Sequence, residues 1–299
     1  MENIDSFAGY HPIVNLAYFV IVITIAMFSM HPVIICISLI MSLVYLTYLT
    51  GIRQVIGRLK LLVTMTIMII VINPLFNHEG MTILGYFKTG NPLTLESIIY
   101  GIFMALLMMS VILWFAIYNV IMTSDKFIYI FGRIIPHLSL IISMSLRYVP
   151  RFKEQFIRVR EARRCMGRDI NQGNIFIRIR NMAAILSIMI TWSLENSIET
   201  ADSMKSRGYG LPGRTAFSIF KFHKRDSIAL TAMSVCTMSF IWLVTNDKMY
   251  YRYYPAFERN LANIWSVMAY ALFVIICSIP MLIDICDSYR FRRTELNVH

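Results

Sequence analysis

The stretch IIYGIFMALLMMSVILWFAIYNVIM, residues Ile98–Met122, contains no charged side chain and decides the kind of fold that this chain can adopt. A helix needs roughly 20 consecutive apolar residues to cross the hydrocarbon core of a bilayer, and this stretch is longer than that. In water such a helix would expose apolar side chains on several faces, whereas lipid solvates them. We therefore expect Ile98–Met122 to cross a membrane as a helix.

The composition of the whole chain agrees with a membrane environment. Of its 299 residues, 57% are hydrophobic and 15% are charged, whereas soluble domains contain about 45–50% and about 25%. A soluble chain of this length cannot bury so much apolar surface, because burial is limited by its surface-to-volume ratio. The five cysteines show neither the spacing of a disulfide framework nor that of a zinc site. These features exclude an ordinary soluble enzyme, a disordered chain and a secreted disulfide-rich scaffold.

Six segments of the sequence satisfy the requirement for a transmembrane helix. They are Tyr10–Met30, Pro32–Thr50, Leu61–Phe76, Ile98–Met122, Ser227–Thr245 and Ile264–Asp284. The third is short, and an extension into Arg58 or Lys60, whose aliphatic stems can lie in the membrane, is the alternative. Two more apolar stretches, Ile134–Val149 and Ile175–Leu194, run directly into charged segments with the same helical period. We interpret these two as long amphipathic helices in or under the membrane; a seventh and an eighth span are the alternative. The expected fold is an all-α, polytopic integral membrane protein with about six transmembrane helices.

The distribution of charge predicts how the chain is oriented. One side of the membrane receives 24 of the 28 Lys and Arg residues, most of them in segment 123–226. Because positive residues concentrate in cytoplasmic loops, we expect this segment, the loop Gly51–Lys60 and both termini in the cytoplasm of a prokaryotic cell. The N-terminus lacks the basic region of a signal peptide, so we expect the first span to be retained. The predicted organisation is four transmembrane helices in 1–122, the cytoplasmic segment 123–226, and two transmembrane helices with a basic tail in 227–299.

Segment 123–226 contains 18 Lys and Arg against 8 Asp and Glu, a local excess of +10 in a chain whose net charge is +11. Its periodicity predicts two long helices, roughly Pro136–Met166 and Asn174–Arg207. Each is followed by a glycine, Gly167 or Gly208, after an acid, a small residue and a base at matching positions. A glycine after a helix supplies a left-handed residue, and basic side chains in the last turn complement the helix dipole. Ordinary helix termination explains each end alone, while two matched, protruding ends also suit insertion into a groove on a partner protein.

Charged stripes run along both predicted helices. The first helix carries arginines and the second carries acids at helical spacings, namely Arg147, Arg151, Arg158 and Glu195, Glu199, Asp202. We hypothesise that these stripes meet where the helices cross; two solvated faces are the alternative. The ordered pattern argues against a merely diffuse attraction to lipid headgroups or to nucleic acid, and we expect no nucleic-acid partner.

Two elements of the sequence resemble those of a known family. The run SLRYVP at Ser145–Pro150 resembles the LRF-[IV]-P element of the T component of energy-coupling factor (ECF) transporters. The run ETADSMKSRGYG at Glu199–Gly210, followed by GRT at Gly213–Thr215, is similar to the Arg-Gly signature of the same family. The likeness extends over most of the chain, including Thr123–Asp125 after the fourth span.

The resemblance implies a non-catalytic membrane scaffold that joins a substrate-binding S component to a pair of ABC-type ATPases. In that family two coupling helices each end in a small-Arg-Gly triplet that docks into an ATPase groove, and their motion makes the S component release a vitamin or a metal ion. The corresponding triplets here are Ser206-Arg207-Gly208 and Cys165-Met166-Gly167. The triplet Cys165-Met166-Gly167 has Met166 at the position where the family usually has Arg. Either Met166 fills an apolar groove, or a neighbouring arginine supplies the charge, the candidates being Arg163, Arg164 and Arg168.

Neither a cofactor site nor a catalytic site is indicated by the sequence. The run Gly208–Thr215 has P-loop-like spacing, but it carries Arg in place of Lys, contains a proline and follows a helix rather than a strand. The six histidines show no metal-ligand spacing, and the 21 methionines suit adaptable packing. We therefore expect no metal or cofactor on this chain and assign ATP and Mg to the partner ATPases. The alternative function is that of an integral membrane enzyme acting on an anionic or lipid-linked substrate.

Overall fold

A computed structural model describes the chain at residues 6–86, 92–134, 136–209, 211, 220–246, 251–254, 258–259 and 263–296. The chain divides into two compact units, one formed by Met1–Lys126 with Phe220–His299 and the other by Phe127–Ile219. Residues Gly213–Thr215 of the Arg-Gly signature lie outside the described residues.

The architecture is all-α, as the composition predicted. The helices are α1 (Pro12–Phe28), α2 (Pro32–Thr50), α3 (Ile52–Phe76), α4 (Leu95–Ile121), α5 (Ser124–Ile134), α6 (Pro136–Cys165), α7 (Ile175–Ser206), α8 (Lys224–Thr245) and α9 (Ile264–Leu296). Two short antiparallel hairpins accompany them, formed by β1 (Ile83–Tyr86) with β2 (Pro92–Thr94) and by β3 (Tyr251–Arg252) with β4 (Glu258–Arg259).

Histidine–proline pairs start the first two helices. His11 and His31 each precede a proline at the first helical position, where the fixed φ suits a helix and no N–H is needed. The Nδ1 atom of each imidazole accepts a hydrogen bond, at 3.3 Å, from the backbone N–H two residues later. Only three residues, Ser29 to His31, connect α1 with α2.

Buried polar contacts join four helices in the core of the first unit. Trp114 of α4 is fully buried, and its Nε1 donates to the Oγ of Ser38 in α2 (2.9 Å). Ser38 also shares a hydrogen bond with Ser110 of α4 (2.6 Å). The hydroxyl of Tyr18 in α1 donates to the carbonyl of Cys277 in α9 (3.1 Å). Such internal partners are needed because lipid cannot hydrogen-bond to polar groups.

The outward faces of this unit are apolar. Phe28 and Phe76, at the ends of α1 and α3, are 83% and 82% exposed. Along one face of α3 a row of exposed apolar side chains recurs at helical spacing, namely Leu61, Met65, Met68 and Ile72. Long rows of exposed apolar side chains are unusual in soluble monomers. They fit a surface that is solvated by lipid.

Hydrogen bonds at the two ends of the first unit fix the direction of its helices. Asp226, in the first turn of α8, accepts from the backbone N–H of His11, which precedes α1 (3.3 Å). At the opposite end of α1, His31 Nε2 lies 3.2 Å from the hydroxyl of Tyr270, in the second turn of α9. The starts of α1 and α8 therefore lie together, and the end of α1 lies beside the starts of α2 and α9.

Six helices in the described part of the chain are long and apolar enough to cross a membrane, which confirms the predicted number. They are α2, α3, α4, α7, α8 and residues Ile264–Asp287 of α9. The membership differs from the prediction, because α1 has 17 residues and α7 qualifies by length and composition. Seventeen helical residues extend about 26 Å, close to the roughly 30 Å of hydrocarbon core, so α1 stays a predicted span. The alternative of a further span at Ile175–Leu194 stays open.

The prediction of a loop at Gly51–Lys60 is wrong. Only Gly51, with φ of +80°, separates α2 from α3, and the residues that follow it form the first turns of α3. Arg58 and Lys60 are good helix formers, and their aliphatic stems can lie along the helix while the charged groups reach water. The helix of the third span therefore includes Arg58 and Lys60, as the alternative allowed, and is longer than Leu61–Phe76.

Candidate partner-docking site

The second unit is built on the pairing of α6 with α7, which confirms the two long helices predicted from periodicity. The rings of Phe152 and Trp192 pack edge to face with centroids 5.3 Å apart. Nearer the start of α6, the hydroxyls of Tyr148 and Thr200 share a 2.5 Å hydrogen bond. Residues later in α6 thus contact residues earlier in α7, so the two helices are antiparallel.

The end of α6 is organised around Gly167. This residue has φ of +72°, a left-handed conformation that glycine adopts without the strain that a Cβ would cause. The backbone N–H of Arg168 donates to the carbonyl of Arg163 (3.0 Å), and the N–H of Gly167 donates to the carbonyl of Arg164 (3.0 Å). These two bonds form a Schellman motif, which satisfies carbonyls that the last helical turn leaves without intrahelical partners.

The end of α7 repeats this geometry at Gly208, which has φ of +79°. The N–H of Tyr209 donates to the carbonyl of Met204 (3.0 Å), and the N–H of Gly208 donates to the carbonyl of Lys205 (3.0 Å). Both ends therefore contain the same motif in the same register relative to their glycines. Helix termination alone accounts for this geometry, so the case for docking depends on how the two ends are spaced and exposed.

The two glycine-terminated ends lie far apart. Near the end of α6, Arg163 contacts Asn181, which lies in the second turn of α7. From Asn181, α7 continues to Ser206, a length of about 38 Å at 1.5 Å per residue. The pair thus presents one helix end at each of its extremities, at a separation suited to two different contacts.

Both triplets are accessible. Met166 is 65% exposed, and Cys165 and Gly167 beside it are also exposed. At the other end, Ser206 and Arg207 are exposed, and the Ser206 hydroxyl donates back to the carbonyl of Ser203 in the same helix (2.9 Å). A partner can therefore reach the central residue of each triplet without rearrangement of the pair.

The three candidate auxiliary arginines have different surroundings. Arg163 is only 9% exposed and donates a long hydrogen bond (3.4 Å) to Oδ1 of Asn181. It therefore holds α6 against α7 and is not accessible to a partner, contrary to the expectation. Arg164 is exposed, with its Nε 3.9 Å from the carboxylate of Asp169, and Arg168 is exposed as well. Only Arg164 and Arg168 therefore remain candidates for an auxiliary contact with a partner.

Sequence reasoning missed the polar group that joins the helices at this end. Asn181 is buried, and its side-chain amide donates to the carbonyl of Asp169 (3.1 Å) while its oxygen accepts from Arg163. The available signal was a single amide at the point where the basic residues Arg178 and Arg180 give way to the apolar stretch of α7. Across the residues that the structure describes, no group of three or more His, Cys, Asp or Glu side chains is arranged to hold a metal ion.

The structure brings together only part of the two charged stripes. Arg147, Arg151 and Glu199 line one groove between α6 and α7, whereas the other members, Arg158, Glu195 and Asp202, do not line it. Among the described residues no ion pair joins the stripes within 4.0 Å. Rings and hydroxyls occupy the contact between the helices, and the charges are exposed at its edges.

In comparison with known proteins, residues 9–217 match the family CbiQ, described as cobalt transport protein. A Lactobacillus helveticus protein, energy-coupling factor transporter transmembrane protein EcfT, is 35% identical over 97 residues, which are 32% of this chain and 35% of that protein. The protein of the same name from Lacticaseibacillus paracasei is 33% identical over 104 residues, 34% of this chain and 39% of the relative. EcfT 1 of Listeria monocytogenes is 28% identical over 213 residues, 66% of this chain and 79% of the relative. The chain thus matches just over a third of the length of the first two relatives and most of the third.

Proposed function

Because the chain belongs to the CbiQ family of cobalt transport proteins and is a transmembrane component of an energy-coupling factor transporter, we propose that it connects two ABC-type ATPase subunits to a membrane-embedded S component. In this proposal the ATPases bind Mg and hydrolyse ATP, the S component binds the transported vitamin or metal ion, and the chain itself is not an enzyme. The observation that carries the proposal is the pair of equivalent, exposed helix ends at the two extremities of α6 and α7.

At the end of α7, Arg207 is the residue that we assign to the ATPase contact. Its guanidinium offers a planar fork of donors, which suits a carboxylate or the backbone carbonyls of a groove. Ser206 is small and turns its hydroxyl toward its own helix, and Gly208 lets the chain leave the helix at once. This end is therefore slim, positively charged and able to enter a groove.

At the end of α6, Met166 takes the place of the family's arginine. Its unbranched, polarisable side chain adapts to apolar surroundings, and the exposed Arg164 and Arg168 lie on either side of it. We assign this end to an ATPase groove that is apolar at its centre and acidic at its rim. The two ATPase contacts are then chemically different, which favours a heterodimer of ATPases or a homodimer that tolerates both ends.

The paired helices can transmit force because they are joined along their length. The rings of Phe152 and Trp192, the hydroxyls of Tyr148 and Thr200, and the contact of Arg163 with α7 connect the pair near its middle and at the end of α6. Well-packed contacts resist compression. A displacement imposed on one end by an ATPase is therefore carried through the pair instead of being absorbed within it.

An exposed apolar stripe along α7 is the surface we assign to the S component. Its side chains are apolar, exposed and spaced by three or four residues, namely Ile179, Met182, Leu186, Ile190 and Leu194. Three members of the stripe, Leu186, Ile190 and Leu194, border a groove that α6 lines from its other side. Ile185 and Met189, next to the stripe, are buried. An apolar face suits a partner that is itself embedded in lipid, and methionine suits contacts that must change during a transport cycle.

The orientation follows from charge. We propose that both termini and segment 123–226 are cytoplasmic, supported by the concentration of Lys and Arg in that segment. The division into 1–122, 123–226 and 227–299 forms part of the same proposal, with the middle segment as the coupling apparatus. The ATPase-docking ends then face the compartment that contains ATP.

Co-purification of the full-length chain with its ATPases tests this function. Arg207→Ala is expected to weaken ATPase assembly by about 30-fold, since truncating a central interface arginine commonly costs about 2 kcal/mol or more. Membrane insertion should be unchanged, because Arg207 is exposed outside the helix core. Arg158→Ala is the matched control, an exposed arginine on α6 away from both ends, and it should retain wild-type recovery.

The outcomes separate the candidate functions. Normal transport and normal complex yield with Arg207→Ala would remove the assignment of that end. Turnover of an anionic or lipid-linked substrate by the isolated chain would instead favour the membrane-enzyme alternative.

A further inference from the structure

Three arginines line a groove between α6 and α7, and two of them, Arg147 and Arg151, have no part in the docking of the helix ends. Arg147 and Arg151 from α6 and Arg207 from the end of α7 line a space of about 420 Å³, and Glu199 is the only carboxylate among its described lining residues. No carboxylate lies within 4.0 Å of any of these arginines in the described part of the chain. The groove therefore has a local excess of positive charge that no ion pair offsets.

This arrangement favours an anion. Arg147 and Arg151 are one helical turn apart, and like charges at this spacing destabilise a helix. A concave surface lined by one sign of charge concentrates the opposite charge, and the guanidinium fork matches phosphate oxygens in geometry. The hydrogen bond between Tyr148 and Thr200, which also line the groove, holds its two walls together.

We propose that the groove binds the phosphate group of an anionic membrane phospholipid. Met144 and Met204 contribute apolar parts of its lining, and Ile141, three residues before Met144, is 62% exposed. Acyl chains can cover these side chains, whereas a free phosphate ion would leave them in water. Basic pockets between membrane-associated helices bind lipid headgroups by the same physics. The site also gives a role to the SLRYVP element at Ser145–Pro150, which supplies one of the arginines.

Lipid binding can be measured without the ATPases. A failure of the lipid site can therefore be distinguished from a failure of the proposed function. The full-length chain in detergent is titrated with short-chain phosphatidylglycerol, with phosphatidylcholine of the same chain length and with inorganic phosphate, and native mass spectrometry counts the bound ligand. Phosphatidylglycerol is expected to bind most tightly, because it alone combines a net negative charge with acyl chains. The double variant Arg147→Gln/Arg151→Gln should lose about 30-fold in affinity for phosphatidylglycerol, from the attraction of two basic residues to an anionic headgroup. Its affinity for phosphatidylcholine should not change.

Matched single variants separate the groove from general charge effects. Arg151 and Arg158 are both exposed on α6, two turns apart, but only Arg151 lines the groove. Arg151→Gln should weaken phosphatidylglycerol binding about fivefold, and Arg158→Gln should leave it unchanged. Glu199→Gln removes a negative charge from the groove and should strengthen binding about fivefold by the same argument. This gain keeps the test decisive if the double arginine variant does not fold.

Any one of four results would overturn the proposal. Equal affinity for the two lipids would refute a specific lipid site in the groove. Undiminished phosphatidylglycerol binding by the double variant would refute it as well. Inorganic phosphate binding as tightly as phosphatidylglycerol removes the lipid as the source of the phosphate. Undiminished lipid binding combined with lost ATPase binding in the double variant assigns the groove to an acidic surface of a partner protein instead.

Discussion

Replacing Gly208 by alanine tests whether the left-handed end of α7 is required for ATPase docking. Gly208 has φ of +79°, and a Cβ at this position would lie 3.3 Å from Cδ1 of Leu211. Because that atom is the far end of a flexible side chain, the main cost is conformational and not steric. An L-residue in the left-handed region costs about 1–2 kcal/mol. Relief of this strain requires the loss of the Schellman hydrogen bonds at Tyr209 and Gly208.

A cost of about 1–2 kcal/mol corresponds to roughly a 5- to 30-fold weaker affinity for the ATPases, measured by biolayer interferometry with immobilised ATPase and detergent-solubilised chain. Gly208→Asn should lose less than Gly208→Ala, since asparagine tolerates the left-handed region. Gly57→Ala is the matched control, because Gly57 lies within α3, is exposed and has open space where a Cβ would lie.

The same substitution at the other end extends the test. Gly167 has φ of +72°, and a Cβ at this position would meet nothing within 4 Å, so Gly167→Ala carries the conformational cost alone. Wild-type ATPase affinity in both alanine variants would refute the idea that the helix-end geometry is recognised. Equal losses for alanine and asparagine at Gly208 would show that bulk at this position matters, and not backbone handedness.

Two further predictions concern stability. Asn181→Leu should destabilise the α6–α7 pair by about 1–3 kcal/mol, because the buried Arg163 and the carbonyl of Asp169 lose their amide partner; faster hydrogen exchange at the end of α6 would measure this, and unchanged exchange would contradict it. Lowering the pH through the window from 6.5 to about 4 should destabilise the first unit, because burial lowers the pKa of His31 from 6.5 to about 4 and the unfolded chain then binds the proton first. Protonation also removes the acceptor that caps Val33. Thermal unfolding across this pH range measures the effect, and a slope unaffected by His31→Gln would contradict it.

Hydropathy located the membrane helices because it is a local and additive property. The predicted span Ile98–Met122 corresponds to α4, Leu95–Ile121, and the predicted Pro32–Thr50 is α2 without change. The error at Gly51–Lys60 arose because charged residues were interpreted as a loop. Their long side chains can remain helical while the charge reaches water, and composition does not distinguish the two cases.

The candidate site was likewise predictable from the sequence only in part. The two helix ends were predictable, since a glycine and its neighbouring residues determine a Schellman motif within one turn. The roles of the neighbouring arginines were not predictable, because Arg163 and Arg164 are adjacent in sequence and differ only in which side of α6 they occupy. The absence of ion pairs between the described parts of the stripes has a related reason, because rings and hydroxyls fill the contact and the charges lie at its edges.

The sequence by itself determined the helical class, the membrane environment and the existence of two matched, glycine-terminated helices, because each depends on residues close together in the chain. Only the tertiary structure decided that Arg163 is buried against Asn181 and that Arg147, Arg151 and Arg207 share one groove. These relations depend on the rotation and register of α6 against α7. That register is set by the packing of side chains that lie far apart in the sequence, a quantity that local pattern does not contain.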